Sequence, residues 1–148
     1  MQELTPHFTL EELVFSQTAA RLGIDNTPPQ AVVENLKALA NGLEQVRELL
    51  GCPVNINSGY RSEELNAKIG GVKNCANTEG FAADFTAKEF GTPKQICEAI
   101  AASKIQFDQL IQEGTWVHIS FAPAMRRQLL TASFSGGKAS YSQGVSDG

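Results

Sequence analysis

The sequence predicts an α+β fold: a small, mostly antiparallel sheet with helices packed on one side. Three observations carry that prediction. Threonine caps open the helical segments, short stretches alternating apolar and polar residues lie between them, and a glycine turn joins the last two stretches. The 148 residues suit one domain, and a hydrophobic share of 42% is enough for a core, which excludes a wholly disordered chain.

The elements follow in order. Thr9 to Glu12 form a Thr-x-x-Glu capping box before a short helix reaching about Phe15. Thr27, Pro28, Pro29 and Gln30 give a second start, with Thr27 as cap, proline at the first helical position and Gln30 reaching back. The helix that follows runs to about Leu50. Val32, Val33, Leu36, Leu39, Leu43, Val46, Leu49 and Leu50 recur every three or four residues along it, one stripe facing a core. Gly51 stops it. Residues 54–58 alternate as a strand, and residues 82–86 form a short second one. Thr92, Pro93 and Gln95 repeat the capping pattern ahead of Ile96, Cys97, Ala99 and Ile100. Residues 107–112 and 116–121 read as two strands turned by Gly114. From Ser133 the chain is rich in Gly and Ser, which predicts a flexible tail or arm, so the division expected is 1–132 and 133–148.

Composition narrows the function. A net charge of −4 argues against a nucleic-acid binder. Gly70-Gly71 lacks the spacing and the following lysine of a phosphate loop. No apolar run reaches the roughly 18 residues of a membrane span. The first ten residues lack the basic and apolar regions of a secretory signal, so a cytoplasmic chain without its own signal peptide is expected. Three cysteines, at 52, 75 and 97, make no disulfide framework and fit a reducing compartment. Only two histidines are present, so a metal site must draw its other ligands from carboxylates, thiols or amides.

Three segments bring polar chemistry to strand ends. Gly59 allows a sharp turn after the first strand, and Arg61 follows it, suited to a carboxylate in two-pronged geometry. The plain alternative is a surface turn before a Ser62-capped helix. Asp84 lies within an apolar strand, where a carboxylate wants a partner or a metal. A salt-bridged structural aspartate is the alternative. In the last strand Trp116, His118 and Ser120 share one face, while Val117, Ile119 and Phe121 face the core. A lone strand histidine is usually structural, but opposite Asp84 it makes half of a zinc site.

These segments together resemble the M15 zinc peptidases, in the D-Ala-D-Ala carboxypeptidase-like branch of bacteria and phages. The resemblance runs from about Phe8 to Phe121, through HFTLEEL with SQTAARLGIDNTPP, INSGYRS, GGVKNCANTEGFAADF and DQLIQEGTWVHISF. It implies a DD-peptidase-like fold related to Hedgehog domains, a Zn²⁺ cofactor, and hydrolysis of peptide bonds in peptidoglycan. The family motif is Ser-x-His-x-x-Gly-x-Ala-x-Asp with a later histidine in a Trp-Val-His strand. Gly80, Ala82 and Asp84 match it, His118 matches the later zinc histidine, and Arg61 matches an arginine near the substrate carboxylate. The motif serine falls on Cys75 and the first zinc histidine on Asn77. Amide oxygen is a poor zinc ligand, so the set becomes Asn77, Asp84 and His118. In an extended segment Cys75 points to the same side as Asn77 and offers a thiolate in its place; the alternative is a small buried residue.

A zinc hydrolase also needs a carboxylate near the reacting water. Glu113, at the hairpin, is the candidate base, and Asp108 is second. Tyr60 and Ser120 are expected to orient substrate, and His7 to be structural or exposed. Two functions are expected to compete. One is a zinc peptidase on stem peptides, of carboxypeptidase or endolysin type, released to the cell wall. The other is an inactive scaffold that binds the cell wall or joins a phage particle through its C-terminal tail.

Overall fold

Capping decides where the helices begin. The computed structural model describes residues 3–68, 79–123, 125–135 and 138–143, with backbone alone at 17 and from 132 onward. The Thr9 hydroxyl accepts from the Glu12 N–H at 3.2 Å and starts α1 (Leu10–Val14). Ser16 does the same for α2 (Gln17–Leu22), accepting from Ala19 N–H at 3.1 Å, and Gly23 ends that helix at φ 70°. Ser62 caps α4 (Glu63–Lys68) through the Leu65 N–H at 3.2 Å. Thr92 and Gln95 form a reciprocal capping box at the start of α5 (Pro93–Ala101).

The longest helix departs from expectation at its start. α3 (Gln30–Leu50) begins after the second proline, with Pro29 in an extended conformation and no side-chain cap. Thr27 does not cap it; its N–H bonds to the Asp25 carboxylate at 3.0 Å. A residue before proline is pushed away from helical geometry, and this applies to both Thr27 and Pro28. Gln30 turns along the helix to Glu34 at 3.2 Å instead of reaching back. Most of the stripe is as expected, with Val33, Leu36, Leu39, Leu43, Val46 and Leu50 buried and Val32 partly so, but Leu49 is exposed, one position off the buried face; Gly51 stops the helix at φ 68°. Burial of each large side chain contributes roughly 1.5–3 kcal/mol.

β1 (Glu3–Thr5) and β2 (Phe8–Thr9) form a small ribbon, tied to α3 by His7, whose N–H and ring both meet the Glu44 carboxylate at 2.7 Å. The main sheet contains β3 (Asn55–Ser58), β4 (Ala82–Thr86), β5 (Gln109–Gln112), β6 (Val117–Ser120), β7 (Gln128–Ser135) and β8 (Lys138–Gln143). Their order across the sheet is β3-β4-β6-β5-β7-β8, antiparallel except for the parallel pair β5 and β7. Of the flexible tail or arm expected from 133, the described part is paired: β7 crosses the 132/133 boundary and β8 pairs back on it. Gly and Ser lower the apolar content of this segment, but strand pairing is made by backbone groups, which the composition does not report.

The two faces of the sheet differ. Ala83 and Phe85 of β4, Leu110 of β5, and Val117 and Ile119 of β6 pack against Leu36, Leu39, Leu43 and Val46 of α3 and Ile96 and Ile100 of α5. The opposite face carries Asp84 and His118 and is only partly covered. Among the described residues, no helix is long and apolar enough to cross a membrane.

The loop after β6 is fastened to the strand start before β5. Met125 and Arg127 both hold left-handed backbone, at φ 44° and 52°. Arg126 meets Asp108 with two prongs, at 2.9 and 3.0 Å, and its own N–H reaches the same carboxylate at 3.2 Å. Arg127 donates to the Ser103 and Ile105 carbonyls and lies 4.8 Å from the Phe107 ring centroid. The Arg126 hydrogen bonds hold the Asp108 carboxyl below its usual range. A carboxyl lowered in the folded state stabilises above its ordinary pKa, and that contribution is lost as pH falls through the folded value. Arg126 is 56% exposed, so solvent screens the pair. Asp108→Asn is expected to lower Tm by roughly 2–4 °C at pH 7, with the two melting curves converging in strong acid.

Candidate functional site

Strand register builds the site. Asp84 of β4 stands directly across from His118 of β6, and Ser58 of β3 pairs with Asp84 from the other side. Residues directly opposite on antiparallel strands hold their Cβ atoms about 4.5–5.5 Å apart, so the two side chains meet. His118 Nδ1 lies 2.8 Å from Asp84 Oδ1, with the side chains 13% and 19% exposed. The pair therefore opens partly to solvent.

Glu113 joins them from the β5–β6 turn. Its N–H donates to the Trp116 carbonyl at 3.0 Å, and Gly114 at φ 79° completes the turn. Its carboxylate accepts from the Trp116 indole N–H at 2.6 Å. Burial pushes the Glu113 carboxyl above its ordinary value, and the Asp84 charge adds to this. His118, the Trp116 hydrogen bond and Arg61 oppose the rise. Glu113 thus shares its electrostatic surroundings with Asp84, His118 and Arg61, four positions brought together from three strands or turns and one loop.

Arg61 sits in a loop that is strapped down. The Tyr60 N–H donates to the Leu13 carbonyl at 2.8 Å. Arg61 then lines a cleft of about 440 Å³ with Phe15, Ser16, Thr18 and Ser58.

Two expected substrate contacts are corrected. Tyr60 is buried in the hydrophobic core, and burial raises its phenol pKa, so its ring serves packing. Ser120 is buried at the sheet, and its hydroxyl accepts from the Ala122 N–H at 3.2 Å. Asp108, the second candidate base, is committed to Arg126. His7 is exposed and bonded to Glu44, as expected. Cys75 and Asn77 lie outside the described residues. Cys97, buried in the core, has its thiol pushed up to about 12 by burial, which leaves it protonated and inert. Trp116 as the partner that orients Glu113 was missed in the sequence, where only its sharing a strand face with His118 was noted; the three-residue spacing across a glycine turn is the signal.

The α+β scaffold thus brings an imidazole–carboxylate pair, a second carboxylate and an arginine into one electrostatic neighbourhood. The family profile described as Peptidase M15 matches residues 6–120, and the chain belongs to that family. No curated protein matches the chain. M15 peptidases are generally zinc-dependent. A catalytic zinc takes three protein ligands and keeps a fourth position open. Among the described residues, no three histidine, cysteine or carboxylate side chains come together in a way that would hold a metal. Asp84 and His118 are bonded to each other and Glu113 is turned to Trp116, so the described set does not complete a zinc site.

Proposed function

We propose that this chain recognises peptidoglycan stem peptides on the M15 scaffold, with peptidase chemistry impaired by Asn77. The observation that carries the reading is the cross-strand pair of Asp84 and His118 with Glu113 and Arg61 beside it. In this reading Arg61 receives the terminal carboxylate of the peptide, since a guanidinium matches a carboxylate with two parallel hydrogen bonds. Glu113, with its carboxyl raised above its ordinary value by burial, is the group suited to exchange a proton with the reacting bond. Asp84 fixes the His118 ring through Nδ1. Zn²⁺, when bound, supplies Lewis-acid chemistry to such a site, and Asp84 and His118 are the residues that reach for it.

The test is metal content and D-alanine release from an acylated D-Ala-D-Ala peptide. Protein purified without chelator is expected to carry well under one zinc per chain and to release little D-alanine. Asn77→His is expected to bring zinc to about one per chain and to restore release. A variant that stays metal-free and inert removes the site assignment. Full zinc in the unaltered chain, lost on Cys75→Ala, shows instead that the thiolate completes the set. The second reading is a scaffold that binds the cell wall or joins a phage particle without cleaving. It predicts that the stem peptide binds while Asn77→His releases nothing.

A further inference from the structure

The loop between α2 and α3 places one side chain where it bonds to the two backbone segments that carry the walls of the Arg61 cleft. Asn26 donates from Nδ2 to the Val14 carbonyl at 2.7 Å and to the Tyr60 carbonyl at 3.1 Å. Its Oδ1 accepts from the Ser62 N–H at 2.7 Å. All three partners are backbone groups of fixed polarity, so the orientation of the amide is determined. Val14 directly precedes Phe15, Ser16 and Thr18, which form one wall. Tyr60 and Ser62 directly flank Arg61, which with Ile56 and Ser58 forms the other. One amide therefore sets the spacing of the walls and clasps the arginine from both sides. No other side chain of this length offers two donors and an acceptor together: aspartate keeps the acceptor alone, and alanine keeps nothing.

We infer that Asn26 is a positioning residue for recognition of a peptide's terminal carboxylate, holding Arg61 and the cleft width in register. This rests on the reading that Arg61 receives that carboxylate. The occupant is a peptide ending in a free carboxylate with a small apolar side chain behind it. Arg61 supplies the opposite charge, and Phe15, 62% exposed, supplies an apolar wall beside it. A volume of about 440 Å³ suits a short peptide end. Asn26 does not touch the peptide; it acts through Arg61 and the wall.

The test is calorimetric titration with an N-acetylated tripeptide ending in D-Ala-D-Ala and with its C-terminal amide. The unaltered chain is expected to bind the acid about tenfold or more tightly than the amide, and Arg61→Ala to abolish that preference. Asn26→Ala is expected to reduce the preference to about twofold or less, with Tm recorded alongside. Asn26→Ser, whose shorter side chain keeps one donor and one acceptor and no charge, is expected to fall between, and it decides the matter where Asn26→Ala fails to fold. A purely structural asparagine would lower Tm and leave the acid-to-amide ratio unchanged, so a folded variant with the full ratio overturns the inference alone. An unaltered chain with no preference overturns the carboxylate reading, and the inference with it.

Discussion

Gly59→Ala is expected to cost about 3 kcal/mol of stability and to lower Tm by roughly 6–12 °C. Gly59 lies where the Arg61 loop passes closest to the end of α1. A Cβ there would overlap the Leu13 carbonyl oxygen and would stand 3.2 Å from the Leu13 carbonyl carbon and 3.3 Å from its Cα. These are backbone atoms, which cannot swing aside as a side-chain end would. The same Leu13 oxygen accepts the Tyr60 N–H at 2.8 Å, so relieving the clash breaks that bond and leaves polar groups unpaired. Thermal melting of Gly59→Ala beside Gly23→Ala separates space from backbone conformation. Gly23 holds φ 70° with nothing within 4 Å of a Cβ, so its alanine variant meets only the left-handed penalty of about 1 kcal/mol. Equal losses at the two sites would show that close approach is not what Gly59 provides. Because Arg61 is two residues on, Gly59→Ala is also expected to lose the preference for a free carboxylate.

What the sequence disclosed about this fold depends on the range of the interaction responsible. Thr9, Thr92 and Gly51 act within one helical turn, and each behaves as read. The alternation of residues 116–121 correctly buries Val117, Ile119 and Phe121, because a strand face is a local property. The start of α3 misled because Thr27 has two possible roles, and the competing Asp25 carboxylate stands nearer. β7 and β8 were hidden for a different reason. Their order comes from pairing with β5 and with each other, and the parallel β5–β7 contact has no short-range signal.

The site divides in the same way. Asp84 and His118 are legible because a titratable side chain within an apolar strand needs a partner, whereas Glu113 and Arg61 are marked only by standing at strand ends. Their convergence is a matter of register, which places Asp84 across from His118. Tyr60 and Ser120 misled because a polar group next to a candidate site reads as functional until its burial is known. Asn26 gave no signal, since an asparagine between two helices is ordinary turn chemistry. Its three bonds reach residues 12, 34 and 36 positions away.

Glu113→Gln is expected to raise stability and remove catalysis together. The Glu113 carboxyl is raised in the folded protein, first by burial and then by the Asp84 charge. A raised carboxyl means that the fold prefers the neutral form. Below the ordinary glutamate pKa both folded and unfolded chains are protonated, and the charge exacts nothing. As pH rises through the folded value the buried carboxylate ionises, and the penalty is complete above it. Glutamine stays neutral throughout, and its carbonyl oxygen still accepts the Trp116 indole N–H that Glu113 accepts at 2.6 Å. In chelator-treated protein, Glu113→Gln should therefore melt above the unaltered chain at pH 7, with the difference closing in acid. In the Asn77→His background the same substitution should cut D-alanine release by about 100-fold or more, the usual scale for a lost general base. A gain in stability with loss of turnover is the mark of a group held at a cost for chemistry. Glu113→Gln melting below the unaltered chain at pH 7 with turnover intact would make Glu113 a structural partner of Trp116 and nothing more.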